Sequence, residues 1–167
     1  LNAMKNTLSV LFGLFIFISA ASAEHHGHSA GKLSLISNGE FILDTVEAGD
    51  IKHTLAELKG LGNIADSTYA PMPNGTVIAF ECAGSSVTKN GESSLYALCL
   101  AKDKDGDQFS IENTRVGLIG VAGPGESVMR GISGKFADLM GTCTYVPTYM
   151  MNDGVFVSVA YECDMKH

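Results

Sequence analysis

Residues 154–163 have the sequence GVFVSVAYEC, and this stretch carries the clearest structural pattern of the chain. Apolar side chains recur at every second position, at Val155, Val157, Val159 and Tyr161. They alternate with a mixed set of residues, Phe156, Ser158 and Ala160. Successive side chains of a β-strand point to opposite faces, so this alternation predicts a strand with one apolar and one mixed face. Such a strand suits the wall of a barrel whose apolar face is turned inward.

Turn sequences separate similar runs along the rest of the chain. Strand-like runs occur at residues 76–82, 94–101 and 115–121. Asn-Gly and Asp-Gly pairs supply the positive φ angles of tight hairpins, and five occur, at residues 38–39, 74–75, 90–91, 105–106 and 153–154. These features predict an all-β fold, a closed antiparallel barrel of about eight strands.

One segment permits two interpretations. In residues 50–61, Ile51, Leu55, Leu58 and Leu61 recur at near-helical spacing. The composition of the segment suits a strand equally well, and the sequence leaves the choice between helix and strand open.

A glycine-rich bend joins two strand-like runs in residues 130–145, RGISGKFADLMGTCTY. Gly131, Gly134 and Gly141 permit a tight bend and close approach of the backbone. Phe136 is expected to lie beneath the bend as a plug.

This bend, together with the Asp-rich turn at residues 103–107, resembles the allene oxide cyclase and dirigent β-barrel superfamily, in particular its small exported bacterial members. The resemblance extends over about residues 54–163. It implies an eight-stranded antiparallel barrel with an apolar lumen, frequently a trimer. The chain differs from the usual bend at residues 132–133, where Gly-Thr is common, and at Asp138, where Gly is common. The lumenal polar groups of the cyclase reaction have no residue-by-residue match, so the resemblance does not imply that reaction.

The first residues predict export. Lys5 precedes an apolar run at residues 8–18, and Ala21-Ser22-Ala23 has the small side chains of a signal-peptidase site. The run is short for a membrane span, although a retained anchor is the alternative. The predicted layout is therefore residues left by cloning and a signal peptide at 1–23, a flexible His-rich tail at 24–31, and one barrel domain at 32–167. The expected location is secreted or periplasmic.

Four cysteines lie in the part that would remain: Cys82, Cys99, Cys143 and Cys163. An even number of cysteines in an exported chain indicates disulfides. Of the three pairings, Cys82–Cys99 and Cys143–Cys163 are favoured because each pair lies in two neighbouring strand-like segments. No C-x-x-C spacing supports a zinc or redox site.

The charge balance restricts the partners. The formal charge of −7 becomes −8 when Lys5 is removed with the signal peptide. An acidic protein is poorly suited to nucleic acid or to anionic membranes, so neither is an expected partner. The expected partners are a small apolar ligand and, by the resemblance, further copies of the chain in a trimer.

The histidine-rich tail is the only cofactor candidate. After cleavage at Ala23, the new amino terminus and His26 could form a square-planar nitrogen site for Cu(II) or Ni(II), with His25 and His28 beside it. The alternative is a solvated tail without a metal.

Other polar residues suggest chemistry only weakly, and no catalytic residue is assigned. A carboxylate among Glu57, Glu81 and Glu162 would be a candidate general acid or base if it pointed into the lumen. His53 lacks a recognisable nucleophile motif. The aspartates of residues 103–107 lack the glycine and glutamate spacing of a calcium loop, which favours a hairpin turn.

Three functions follow, in order of preference. The first is a secreted, disulfide-stapled barrel that binds a small apolar ligand or a partner without catalysis. The second is an isomerase or cyclase that uses a lumenal carboxylate. The third is an exported protein that binds copper or nickel through its tail.

Overall fold

The computed structural model describes residues 31–119, 121–151 and 155–166, and these residues form a closed antiparallel barrel. Each strand pairs with the next one along the chain, and the last strand closes on the first. The eight strands are β1 (Gly31–Ala48), β2 (Ile51–Ser67), β3 (Val77–Lys89), β4 (Glu92–Asp103), β5 (Gln108–Val116), β6 (Gly125–Gly131), β7 (Met140–Met151) and β8 (Val155–Lys166). The all-β barrel predicted from the sequence is confirmed.

The alternation in β8 is the one that the sequence pattern predicts. Val157, Val159 and Tyr161 are buried inside the barrel, whereas Phe156 and Ala160 are exposed on its outer face. Burial of the inward face provides the main drive for closing the sheet, because each buried aliphatic or aromatic side chain contributes about 1.5–3 kcal/mol.

The ambiguous segment is a strand, β2. Leu58 is buried inside the barrel, but Leu55 and Leu61 are exposed on the outside. The apparent helical spacing therefore combined residues from the two faces of one strand. Small inward residues such as Ala56 obscured the true period of two.

The strand predicted at residues 115–121 is wrong in its position. β5 ends at Val116, and residues 117–124 connect it to β6. The apolar Leu118 and Ile119 belong to this connection, where they are half-buried. The strand itself was overlooked because polar residues, among them Asn113, occupy some of its inward positions.

Large side chains fill one end of the barrel, which we call the closed end. Phe136 lies in a short 3₁₀-helix, Gly134–Phe136, and is fully buried with its ring 5.2 Å from that of Phe109 in an edge-to-face contact. Tyr69 and Met72, from the β2–β3 connection, are also buried there. Phe136 thus has the plugging position expected from the sequence.

Glycine is required at two positions of this bend. A Cβ atom on Gly131 would overlap the carbonyl oxygen of Phe136. Gly134 has a φ of +59°, and a Cβ there would overlap the carboxylate of Asp107. Farther along, Gly141 is the second residue of β7 and lies opposite Met165 of β8.

The Asp-rich turn after β4 is a hairpin turn fastened to the bend. The Asp103 carboxylate accepts hydrogen bonds from the amides of Asp105 (3.0 Å) and Asp107 (3.1 Å), and it forms an ion pair with Lys135. Within the described ranges, no group of three or more His, Cys, Asp or Glu side chains could hold a metal ion. No helix of these ranges has the length and apolar character needed to cross a membrane.

Candidate ligand-binding site at the open end of the barrel

The other end of the barrel, which carries the β1–β2, β3–β4 and β5–β6 connections, contains a cavity of about 60 Å³. Small inward residues on three consecutive strands leave this space: Ala56 on β2, Gly84 on β3 and Ala97 on β4. The rest of its lining is mainly aromatic and aliphatic, including Phe41, Leu58, Ile119, Tyr149 and Val157.

Aromatic side chains form one side of the cavity. The rings of Phe41 and Tyr149 are stacked with centroids 6.2 Å apart, and deeper in the lumen Tyr145 and Tyr161 lie 5.6 Å apart. Aromatic rings offer large apolar surfaces, and tyrosine adds a hydroxyl group for orientation. This wall suits a ligand with a flat or apolar body.

Both disulfides lie on the inner surface of the barrel. Cys82–Cys99 joins directly opposite residues of β3 and β4 and lines the cavity, and Cys143–Cys163 joins opposite residues of β7 and β8. The structure therefore contains the two pairings that the sequence favours. Disulfides of this kind form in oxidising compartments.

Polar side chains form a short buried network beside the cavity. The Ser127 hydroxyl donates to Asn113 Oδ1 (2.6 Å), and Asn113 Nδ2 donates to Cys99 Sγ (3.5 Å). Burial raises the pKa of Tyr161 well above its ordinary value, although hydrogen bonding to Ser37 and Asn113 opposes the shift. Tyr161 consequently stays protonated at physiological pH and acts as a neutral hydrogen-bonding group.

Arg115 brings a positive charge to the cavity. Its side chain lines the cavity, and the residue is only 6% exposed. Nη1 donates to the carbonyl oxygen of Gly123 (3.2 Å) and Nη2 to that of Leu118, whereas Nε has no partner. The guanidinium thus fastens the β5–β6 connection over the mouth of the barrel.

Burial also raises the pKa of Tyr145, and the nearby charge of Arg115 lowers it in part. The Tyr145 hydroxyl therefore lies within the field of the guanidinium. Since Arg115 and Tyr145 both line the cavity, a group that enters it would meet a cation and a phenol donor.

The candidate acids and bases of the sequence lie elsewhere. Glu57, Glu81 and Glu162 are all exposed on the outer face of the barrel, and His53 is exposed on β2. In the part of the chain that the structure describes, the buried carboxylate is Asp103, which belongs to the turn after β4. The cavity wall therefore offers hydrogen-bond donors and a cation, and the named carboxylates are absent from it.

A larger groove, of about 500 Å³, lies outside the lumen along β5 to β8. Exposed threonines and the carboxylates of Glu112, Glu126 and Glu162 form much of its surface. Exposed groups of this kind keep their hydration, so the smaller lumenal cavity is the better candidate for a specific site.

The remaining predicted site residues lie away from the cavity or outside the described ranges. Gly131, Gly134, Phe136 and Gly141 form the bend at the closed end and the start of β7. His25, His26 and His28 lie outside the described residues, so the copper or nickel site stays a prediction.

Sequence reasoning did not find the polar residues of the lumen. Phe109, Ile111, Asn113 and Arg115 share one period-two register on β5, and all four are buried. Extending that register from the apolar pair would have placed Asn113 and Arg115 inside the barrel.

Comparison with known proteins gives no assignment: no protein-family model matches the chain, and no curated protein matches it.

Proposed function

We propose that this protein binds a small, largely apolar molecule at the open end of its barrel. The observation that carries the proposal is the cavity, since an apolar space bounded by aromatic rings interrupts a barrel that is otherwise filled by its own side chains. Binding is driven by removal of ligand surface from water, which contributes about 25 cal/mol per Å².

The cavity must enlarge to admit such a ligand. Pockets for small molecules usually have volumes of about 300–1,000 Å³, and this cavity measures about 60 Å³. Ile119 is the residue that the β5–β6 connection contributes to the lining, and it is only half-buried. Displacement of that connection opens the cavity without disturbing the strand ladders.

The placement of the carboxylates favours binding over catalysis. An isomerase of the kind considered from the sequence needs a lumenal acid or base, but Glu57, Glu81 and Glu162 face outward. Burial raises the pKa values of Tyr145 and Tyr161 in the cavity wall, so both are poor bases at neutral pH.

Export and family membership form part of the proposal. The two disulfides suit an oxidising compartment, and residues 4–23 have the pattern of a signal peptide. The number and antiparallel order of the strands agree with the barrel implied by the resemblance to the allene oxide cyclase and dirigent superfamily.

The test compares two alanine-to-leucine variants on neighbouring strands. Ala97 lines the cavity, whereas Ala83 is exposed on the outer face of β3. With the neutral fluorescent probe N-phenyl-1-naphthylamine, we expect strong enhancement by the wild type and by Ala83→Leu, and little by Ala97→Leu. Thermal unfolding verifies that both variants fold.

Equal enhancement by the two variants would place probe binding outside the cavity and contradict the proposal. Native mass spectrometry after incubation with a lipid extract supplies a second measurement. A molecule recovered unchanged supports binding, and a chemically altered molecule would move the protein to the enzyme class.

A further inference from the structure

We infer that the ligand is a monoanion, a carboxylate on a small apolar body, and that Arg115 recognises its charge. The inference rests on the proposed function and specifies the class of molecule that the same cavity takes. It begins from the two buried charged side chains of the described residues, Asp103 and Arg115.

The two buried charged side chains have different partners. Asp103 has a cationic partner, Lys135, in addition to two backbone amides. Among the described residues, no carboxylate lies within ion-pair distance of Arg115, whose partners are the neutral carbonyl groups of Leu118 and Gly123. Burial of an ion is costly unless an opposite charge and hydrogen bonds compensate it. Within the described ranges, the guanidinium therefore has no counter-charge.

The geometry of the guanidinium matches a carboxylate. Arginine presents five N–H donors in a rigid planar fork, which bonds both oxygens of a carboxylate at once. Here the Nε donor is buried and has no partner. A carboxylate approaching from the side would pair with Nε and one Nη, and would replace a carbonyl partner from the β5–β6 connection.

The surroundings define the rest of the ligand. Tyr145, Tyr149 and Phe41 line the same cavity, so an aromatic or alicyclic body would lie against rings while its carboxylate meets Arg115. Inorganic phosphate would lose its hydration to this apolar wall without gaining apolar contacts. A ligand with a single negative charge on an apolar body can pair with the guanidinium of Arg115 and contact the apolar wall of the cavity.

The experiment compares two probes of nearly the same shape, 2-naphthoate and 2-naphthamide, by isothermal titration calorimetry of the disulfide-bonded protein at pH 7. We expect the acid to bind at least about tenfold more tightly than the amide, as a charge-assisted hydrogen bond requires. In Arg115→Gln the ratio of the two affinities should fall to about one. In Arg130→Gln, which removes an exposed arginine of β6, the ratio should stay as in the wild type.

The outcomes separate the two proposals. Equal binding of acid and amide by the wild type would overturn the inference and leave the proposed function intact. Failure of both probes to bind would contradict both. Thermal unfolding of Arg115→Gln shows whether it folds, and Arg115→Lys, which keeps the charge but loses the fork, should give an intermediate ratio. A ratio for Arg115→Gln equal to that of the wild type would also overturn the inference.

Discussion

A buried carboxylate at the closed end shows how single residues join separate parts of the barrel. Burial alone would raise the pKa of Asp103, but the hydrogen bonds from Lys135 and from the amides of Asp105 and Asp107 outweigh it and hold the pKa below its ordinary value. Reciprocally, hydrogen bonding to Asp103 raises the pKa of Lys135. The ion pair links the turn after β4 to the bend before β7.

Replacement of Lys135 by methionine should therefore destabilise the protein, by about 1–2 kcal/mol, because it leaves a buried carboxylate without its cation. Since the folded-state pKa of Asp103 is lowered, its contribution is present above the unfolded-state pKa and disappears as the pH falls through the folded-state value. Without Lys135 the folded-state pKa rises, so acid unfolding should begin at higher pH. Urea unfolding at pH 7 and pH 4 measures both effects.

Lys104→Met is the matched control for this prediction. Lys104 is in the same turn, but its ion pair with Asp105 is exposed on the surface, and such pairs contribute little. If the two variants unfolded alike at both pH values, the Asp103–Lys135 pair would have no special stabilising role.

At the scale of elements, the sequence predicts strands where inward residues are uniformly apolar. β8 follows a simple period of two, and its prediction is confirmed. The sequence predicts this strand too late in the chain, because polar Asn113 and Arg115 occupy inward positions of β5. The apolar Leu118 and Ile119, which lie beyond the end of β5, have the composition of a strand. Asn113 and Arg115 are therefore residues of the candidate site that break the apolar pattern of the fold, and only the period-two register continued from Phe109 and Ile111 would have located them.

The bend before β7 gives a prediction at the same scale. In Gly131→Ala the new methyl group would overlap the Phe136 carbonyl oxygen, so either the bend or the buried ring must shift. We expect a loss of about 2–3 kcal/mol of unfolding free energy, as for an overpacked core. Chemical denaturation measures the loss.

Gly123→Ala provides the comparison for the bend. A Cβ atom on Gly123 has no neighbour within 4 Å, and its φ is outside the left-handed region. This variant should keep the stability of the wild type. A similar loss in both variants would mean that the loss reflects replacement of any glycine, irrespective of the space beside Phe136.

At the scale of the whole molecule, the two disulfides support opposite parts of the barrel wall. One links β3 to β4 and the other links β7 to β8, with two strands between the linked pairs in either direction around the barrel. Both link strands that are already consecutive in the chain. The closure between β8 and β1 instead relies on backbone pairing from Gly31↔Met165 to Phe41↔Val155, with exposed side-chain contacts of Lys32 with Asp164 and of Ser34 with Glu162.

This arrangement predicts that each disulfide stabilises the barrel and that the barrel still folds when either disulfide is removed. The linked cysteines are 17 and 20 residues apart, and closing a loop of about that length stabilises a protein by about 3 kcal/mol in the chain-entropy model. The double variant Cys82→Ala/Cys99→Ala should lose about that much unfolding free energy. The double variant Cys143→Ala/Cys163→Ala should lose a similar amount. The two losses should add, because the pairs lie in different parts of the wall.

Urea unfolding measures the losses, and the far-ultraviolet circular dichroism spectrum of each variant should keep its β-sheet form. The variant without all four cysteines should not respond to a reductant, whereas the wild type should lose stability in it. Free thiols in the untreated wild type, or a loss much below 1 kcal/mol for either pair, would contradict the role of the disulfides as staples of the wall.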